Sequence, residues 1–123
     1  MWIFTKYGFV SVVCAREGFG GHGEPVDPDR VMVRSRSRNH LERLQKRFTS
    51  LKSKQIESFP GSDYPFRIFI DKRFWAIVMK ELAEEMDYDN FKSEVARQPD
   101  DAIYEDCLHD VWGIMRRLQH GRR

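Results

Sequence analysis

An α+β fold, with one antiparallel sheet carrying helices on a single face, follows from three features of the sequence. Phe66, Ile68 and Ile70 alternate with Arg67, Phe69 and Asp71, the two-residue period of a strand with one buried face. Directly after Asp71 the apolar residues move to Trp75, Val78 and Leu82, widened by Phe74, Ile77 and Met79, which is the spacing of a core-facing helix. Aromatic and valine-rich runs stand at the N-terminus and around Val31 and Val33, with helix-spaced leucines following them. At 123 residues and 41% hydrophobic content, the chain can bury a core without disulfides, and we read residues 1–123 as a single domain.

Trp2 to Phe4 and Phe9 to Ala15 read as one long strand with a break or bulge at Gly8. Residues Arg16 to Asp29, rich in Gly, Pro and Asp, read as a long connection to a second strand at Arg30 to Ser35. A helix from Asn39 to Phe48 is predicted because Leu41, Leu44 and Phe48 share a face and Asn39 with Glu42 matches a capping box. Ile56 centres a short third strand. The turn Pro60-Gly61-Ser62-Asp63 then folds it back onto a fourth strand at Tyr64 to Ile70.

The next helix has Lys72 and Arg73 in its first turn and its apolar stripe from Phe74, with Asp71 placed to accept its orphan N–H groups. Asp87 to Lys92 is a break before a short helix to Arg97, with Asp89 capping its next turn. The last helix runs from Asp101 to Gln119, its seam formed by Tyr104, Leu108, Val111, Met115 and Leu118. Asp87, Asp89 and Asn90 resemble the start of a calcium loop, but the required Gly and Glu positions hold Lys92 and Gln98. In sum, the elements predict a ferredoxin-like fold in circularly permuted ββαββα form. Its antiparallel four-stranded sheet is ordered 1-2-4-3, with helices on one face and an extra C-terminal helix.

Composition and motifs exclude more than they select. No apolar run reaches the roughly 20 residues of a membrane helix, so no membrane partner is expected and the setting is read as cytoplasmic. Cys14 and Cys107 lack any CxxC or His spacing and read as small buried hydrophobes in a reduced compartment. Gly18 to Gly23 formally fits G-x-G-x-x-G, yet Pro25 and Pro28 stand where a phosphate-binding helix should start, which favours a flexible connection. The four histidines, His22, His40, His109 and His120, form no HxH, HxxxH or HExxH set. We therefore expect no cofactor, no metal and no catalytic residue, and lean against an enzyme. The small ferredoxin-like endoribonucleases that this chain resembles in fold and size carry an acidic residue at the end of the first strand, where Ala15 and Arg16 stand here.

Charge gives the main functional lead. Residues 1–54 carry a net +6 and residues 55–123 a net −4. The candidate binding residues are Arg34, Arg36, Arg38, Arg43, Lys46 and Arg47, the densest cationic series in the chain, continued by Lys52 and Lys54. With aromatics such as Tyr7, Phe9 or Phe69 on the free sheet face, they could track phosphates and stack bases of RNA or DNA. The competing reading is a solvated helix whose arginines meet acidic residues of the second half, within the chain or across a homodimer.

The opening Met1-Trp2-Ile3-Phe4-Thr5-Lys6-Tyr7-Gly8-Phe9 and the block Asp87 to Val95 resemble a family of small bacterial proteins to which no activity is attached. The resemblance implies a bacterial cytoplasmic protein and brings no catalytic residues. The resulting expectation is a non-enzymatic binding or regulatory module, most readily a homodimer, contacting nucleic acid through a basic helix and strand. A protein–protein interaction domain is the alternative.

Overall fold

The computed structural model describes residues 1–18, 23–98 and 101–121. The chain divides into two compact units, Met1–Met86 and Asp87–Arg123. The first is an α+β unit built on a five-stranded antiparallel sheet: β1 (Trp2–Thr5), β2 (Gly8–Arg16), β3 (Val26–Ser35), β4 (Glu57–Ser58) and β5 (Phe66–Asp71), in the order β1-β2-β3-β5-β4. Helices α1 (Arg38–Arg47), α2 (Thr49–Lys52) and α3 (Lys72–Glu84) belong to the same unit.

The sheet thus has five strands rather than four in the order 1-2-4-3, because the first predicted strand is a hairpin. Ile3 pairs with Val10 and Phe4 with Phe9, so the chain reverses between Thr5 and Gly8. Thr5 holds the reversal: its Oγ1 accepts the N–H groups of Tyr7 and Gly8, both at 3.1 Å, and donates to the Gly8 carbonyl at 2.9 Å. Gly8 has a φ of +150°, and a Cβ there would run into the His40 ring. A turn fixed by one threonine hydroxyl and one glycine leaves only a short interruption in the apolar run, which reads as a bulge.

The irregularity instead lies further on. Cys14 pairs with Val31 but Ala15 with Asp27, so Pro28, Asp29 and Arg30 are extra residues on β3. Pro28, which has no N–H to give a ladder, sits in this bulge, and Asp29 N–H bonds to the Asp27 side chain at 3.0 Å instead. β2 and β3 therefore run longer than expected, and the connection shortens to Glu17–Pro25. Within it, the Gly18 to Gly23 motif falls mostly outside the described residues. β4 pairs Glu57 with Arg67 and Ser58 with Phe66, closing the hairpin that the Pro60 turn signals.

One face of the sheet carries the core. Val10, Val12, Val31, Val33, Ile68 and Ile70 project to it by alternation and meet Leu41, Leu44, Phe48, Leu51, Ile56, Trp75 and Val78. Phe48, Leu41, Leu44 and Leu51 are fully buried, each contributing about 1.5–3 kcal/mol. α1 begins two residues earlier than its capping box implies: Ser37, not Asn39, is the N-cap and makes no side-chain cap bond. Its backbone N–H is taken by the Ser35 hydroxyl at 3.1 Å. At α3 the Asp71 carboxylate does not cap the helix; it lies 3.7 Å from the Arg73 guanidinium. Phe74 and Ile77 are exposed, leaving Trp75 and Val78 as the buried stripe.

The second unit consists of α4 (Phe91–Ala96), α5 (Ala102–Met115) and α6 (Arg117–His120), with α4 packed on α5. Asn90, not Asp89, caps α4, its side chain accepting the Ser93 N–H at 3.0 Å. Asp101 does the same for Tyr104 at the start of α5. The predicted long final helix breaks at Arg116. Its seam is buried at Tyr104 and Leu108 and exposed at Met115 and Leu118. No helix among the described residues is long and apolar enough to cross a membrane.

Candidate nucleic-acid interface

The cationic residues singled out from the sequence separate into two groups inside the first unit. Arg38, Arg43, Lys46 and Arg47 lie on α1, in the helical layer. Arg34 and Arg36 lie on and just beyond β3, and strand alternation turns Arg34 away from that layer, to the face that no described helix of the unit covers.

Three of the four α1 cations are engaged locally. Arg47 Nη2 lies 2.6 Å from Glu85, whose other carboxylate oxygen accepts the Tyr7 hydroxyl at 2.7 Å. Burial, then the hydrogen bond and charge of Glu85, push the Tyr7 phenol up to about 12, against the pull of Arg47. Glu85 in turn raises the Arg47 guanidinium. Arg43 donates to the Tyr7 carbonyl at 3.3 Å, and Arg38 lies 3.6 Å from Glu42. Tyr7 also packs edge-on against Phe48, 5.7 Å between ring centres, so it belongs to the side of α1 and not to the opposite sheet face.

On the other face one row crosses all five strands: Trp2, Ser11, Arg34, Arg67 and Glu57 are successive ladder partners. Arg34 and Arg67 are directly opposite each other, a like-charge pair that is unfavourable by itself. Burial, and next the charge of Arg34, lower the Arg67 guanidinium, with Asp63 acting the other way. What holds them is Tyr64, which is 5% exposed. The guanidiniums of Arg34 and Arg36 lie 4.6 and 4.8 Å from its ring centre. Arg67 donates to the Tyr64 carbonyl at 3.1 Å and to the Ser62 hydroxyl at 2.9 Å, while Arg34 donates to the Ser11 hydroxyl at 2.8 Å. Three arginines thus converge on one buried tyrosine.

Aromatic rings flank this cluster. Phe4 and Phe9 stack at 4.6 Å, with Trp2 edge-on to Phe9 at 5.9 Å. On the far side Phe59 and Phe69 lie 6.3 Å apart, with Arg67 over Phe59 and Arg30 over Phe69. The expectation of Phe9 and Phe69 on this face matches their ladder positions. Arg67, Tyr64 and Trp2 were missed, although the alternation of β5 already sends Arg67 and Phe69 to one side.

His40 is a structural residue, 8% exposed, whose Nδ1 accepts the Phe9 N–H at 3.1 Å. Cys14 is half-buried and Cys107 is exposed, so Cys107 is not the buried hydrophobe expected. No group of three His, Cys, Asp or Glu side chains that could hold a metal exists among the described residues. A shallow groove at the end of the second unit is lined by Gly113, Ile114, Arg117 and His120 among others. No family model, no curated protein and no solved structure matches the chain.

Proposed function

We propose that this protein is a non-enzymatic binding module that contacts nucleic acid through the sheet face opposite α1, α2 and α3. The observation that carries this reading is the convergence of Arg34, Arg36 and Arg67 on Tyr64: like charges held together gain most from an intervening phosphate. A circularly permuted ferredoxin-like arrangement, with β1 added at the edge, suits such use, since all its core-forming helices lie on the opposite face. A cytoplasmic setting belongs to the same reading. Of the α1 cations, Lys46 and Arg38 are exposed and can extend the field around the site, while Arg43 and Arg47 serve Tyr7 and Glu85.

Filter binding of labelled RNA and DNA tests it. Retention should fall steeply between roughly 50 and 200 mM salt. It should fall at least tenfold in Arg34→Glu with Arg36→Glu, and less in Lys46→Glu. Equal retention by the double variant, at matched folding by circular dichroism, would remove the proposal. A homodimer is the second reading, favoured by edge strand β1, where Met1 and Trp2 are 71% and 70% exposed. A dimer paired along that strand persists at high salt in sedimentation.

A further inference from the structure

We infer that the strand bound is single, and that it runs across the sheet from the arginine cluster to Trp2 rather than along the β-strands. This rests on the proposed function and adds the class of nucleic acid and its direction. The cation and aromatic positions are not scattered over the face. The row Trp2, Ser11, Arg34, Arg67 lies perpendicular to the strands, with a hydroxyl between the exposed indole and the two guanidiniums.

Trp2 and Arg67 are three strand spacings apart, roughly 14 Å. Unstacked nucleotides of a single strand are spaced more widely than the roughly 3.4 Å of a duplex strand, so this span holds at most about four nucleotides. A phosphate seated between Arg34 and Arg67 therefore leaves the bases further along the strand within reach of Phe9 and Trp2.

Duplex geometry does not use this row. Paired bases are already stacked on each other and present only their edges, so a 70% exposed indole beside a Phe4–Phe9 stack gains nothing from a duplex. Unpaired bases offer π-faces of any sequence, which predicts little base preference. Phe59, 37% exposed beside Phe69 at the far end of the cluster, can take a base on the other side of the bound phosphate.

The test is fluorescence anisotropy of the full chain with a labelled oligo(U), an oligo(dT) and a duplex of equal length. Both single strands should bind at least tenfold more tightly than the duplex. Trp2→Ala and Phe59→Ala, both at exposed positions, should each weaken single-strand binding roughly five- to hundredfold while leaving duplex binding unchanged. A single nucleotide, too short to span Arg67 and Trp2, should lose most of the affinity. Duplex binding equal to or tighter than single-strand binding, or unchanged binding by Trp2→Ala, would overturn this inference and leave the proposed function standing. Absence of binding to every probe would overturn both.

Discussion

The two groups of cations in the first unit, on α1 and on the sheet, differ in what they face. Arg47 meets Glu85 at 2.6 Å and Arg38 meets Glu42 at 3.6 Å, so much of the charge on α1 is answered within the unit. Arg34 and Arg67 meet each other and the faces of aromatic rings, with Glu57 opposite Arg67 on its other side. Equal formal charge therefore has opposite consequences: on α1 it locks the β1–β2 turn to the end of α3, and on the sheet it sets two like charges side by side. Counting arginines along the chain weights both groups alike; their neighbours separate them.

The largest effect is expected where the locked side is broken at its tightest point. Gly8→Val forces a side chain into the His40 ring at a positive φ, and should cost about 3 kcal/mol or more, lowering the melting point by roughly 10 °C. An unchanged melting point would mean that the turn is not anchored as described. Glu85→Leu comes next. It leaves the Tyr7 hydroxyl without its charged acceptor and should destabilise by about 1.5 kcal/mol in urea unfolding.

Arg34→Gln sharpens the contrast from the other side. Stability should stay within about 0.5 kcal/mol, because a like-charge pair is lost along with the stacking on Tyr64. RNA retention should nevertheless fall several-fold, the reverse of the pattern for Glu85→Leu.

A further test concerns pH. Because the folded state raises Tyr7 from 10.0 to about 12, the neutral phenol contributes stability that is whole below pH 10.0 and disappears as pH rises through about 12. Tyr7→Phe should therefore be less stable than the parent at neutral pH, with the gap closing across that alkaline window.

A fragment ending at Met86 tests whether the sheet unit stands by itself. Every residue of the core cluster, from Val10 to Val78, lies within it, so cooperative unfolding and a strand-rich spectrum should persist.

The sequence by itself determined the α+β class, the alternation of β5, the buried faces of α1 and α3 and the cationic bias of the first half, since these are set by periodicity and composition. It also placed Arg34 and Arg36 among the candidate residues. Only the tertiary structure decided that the N-terminal run is a hairpin, because that turn depends on Thr5 Oγ1 and on His40, 32 positions beyond Gly8, packing where a Cβ would be. It likewise decided that Arg34, Arg36 and Arg67 share Tyr64 while Arg47 is drawn to Glu85. Strand pairing and ion pairing join residues distant in sequence, and local spacing carries no record of those partners.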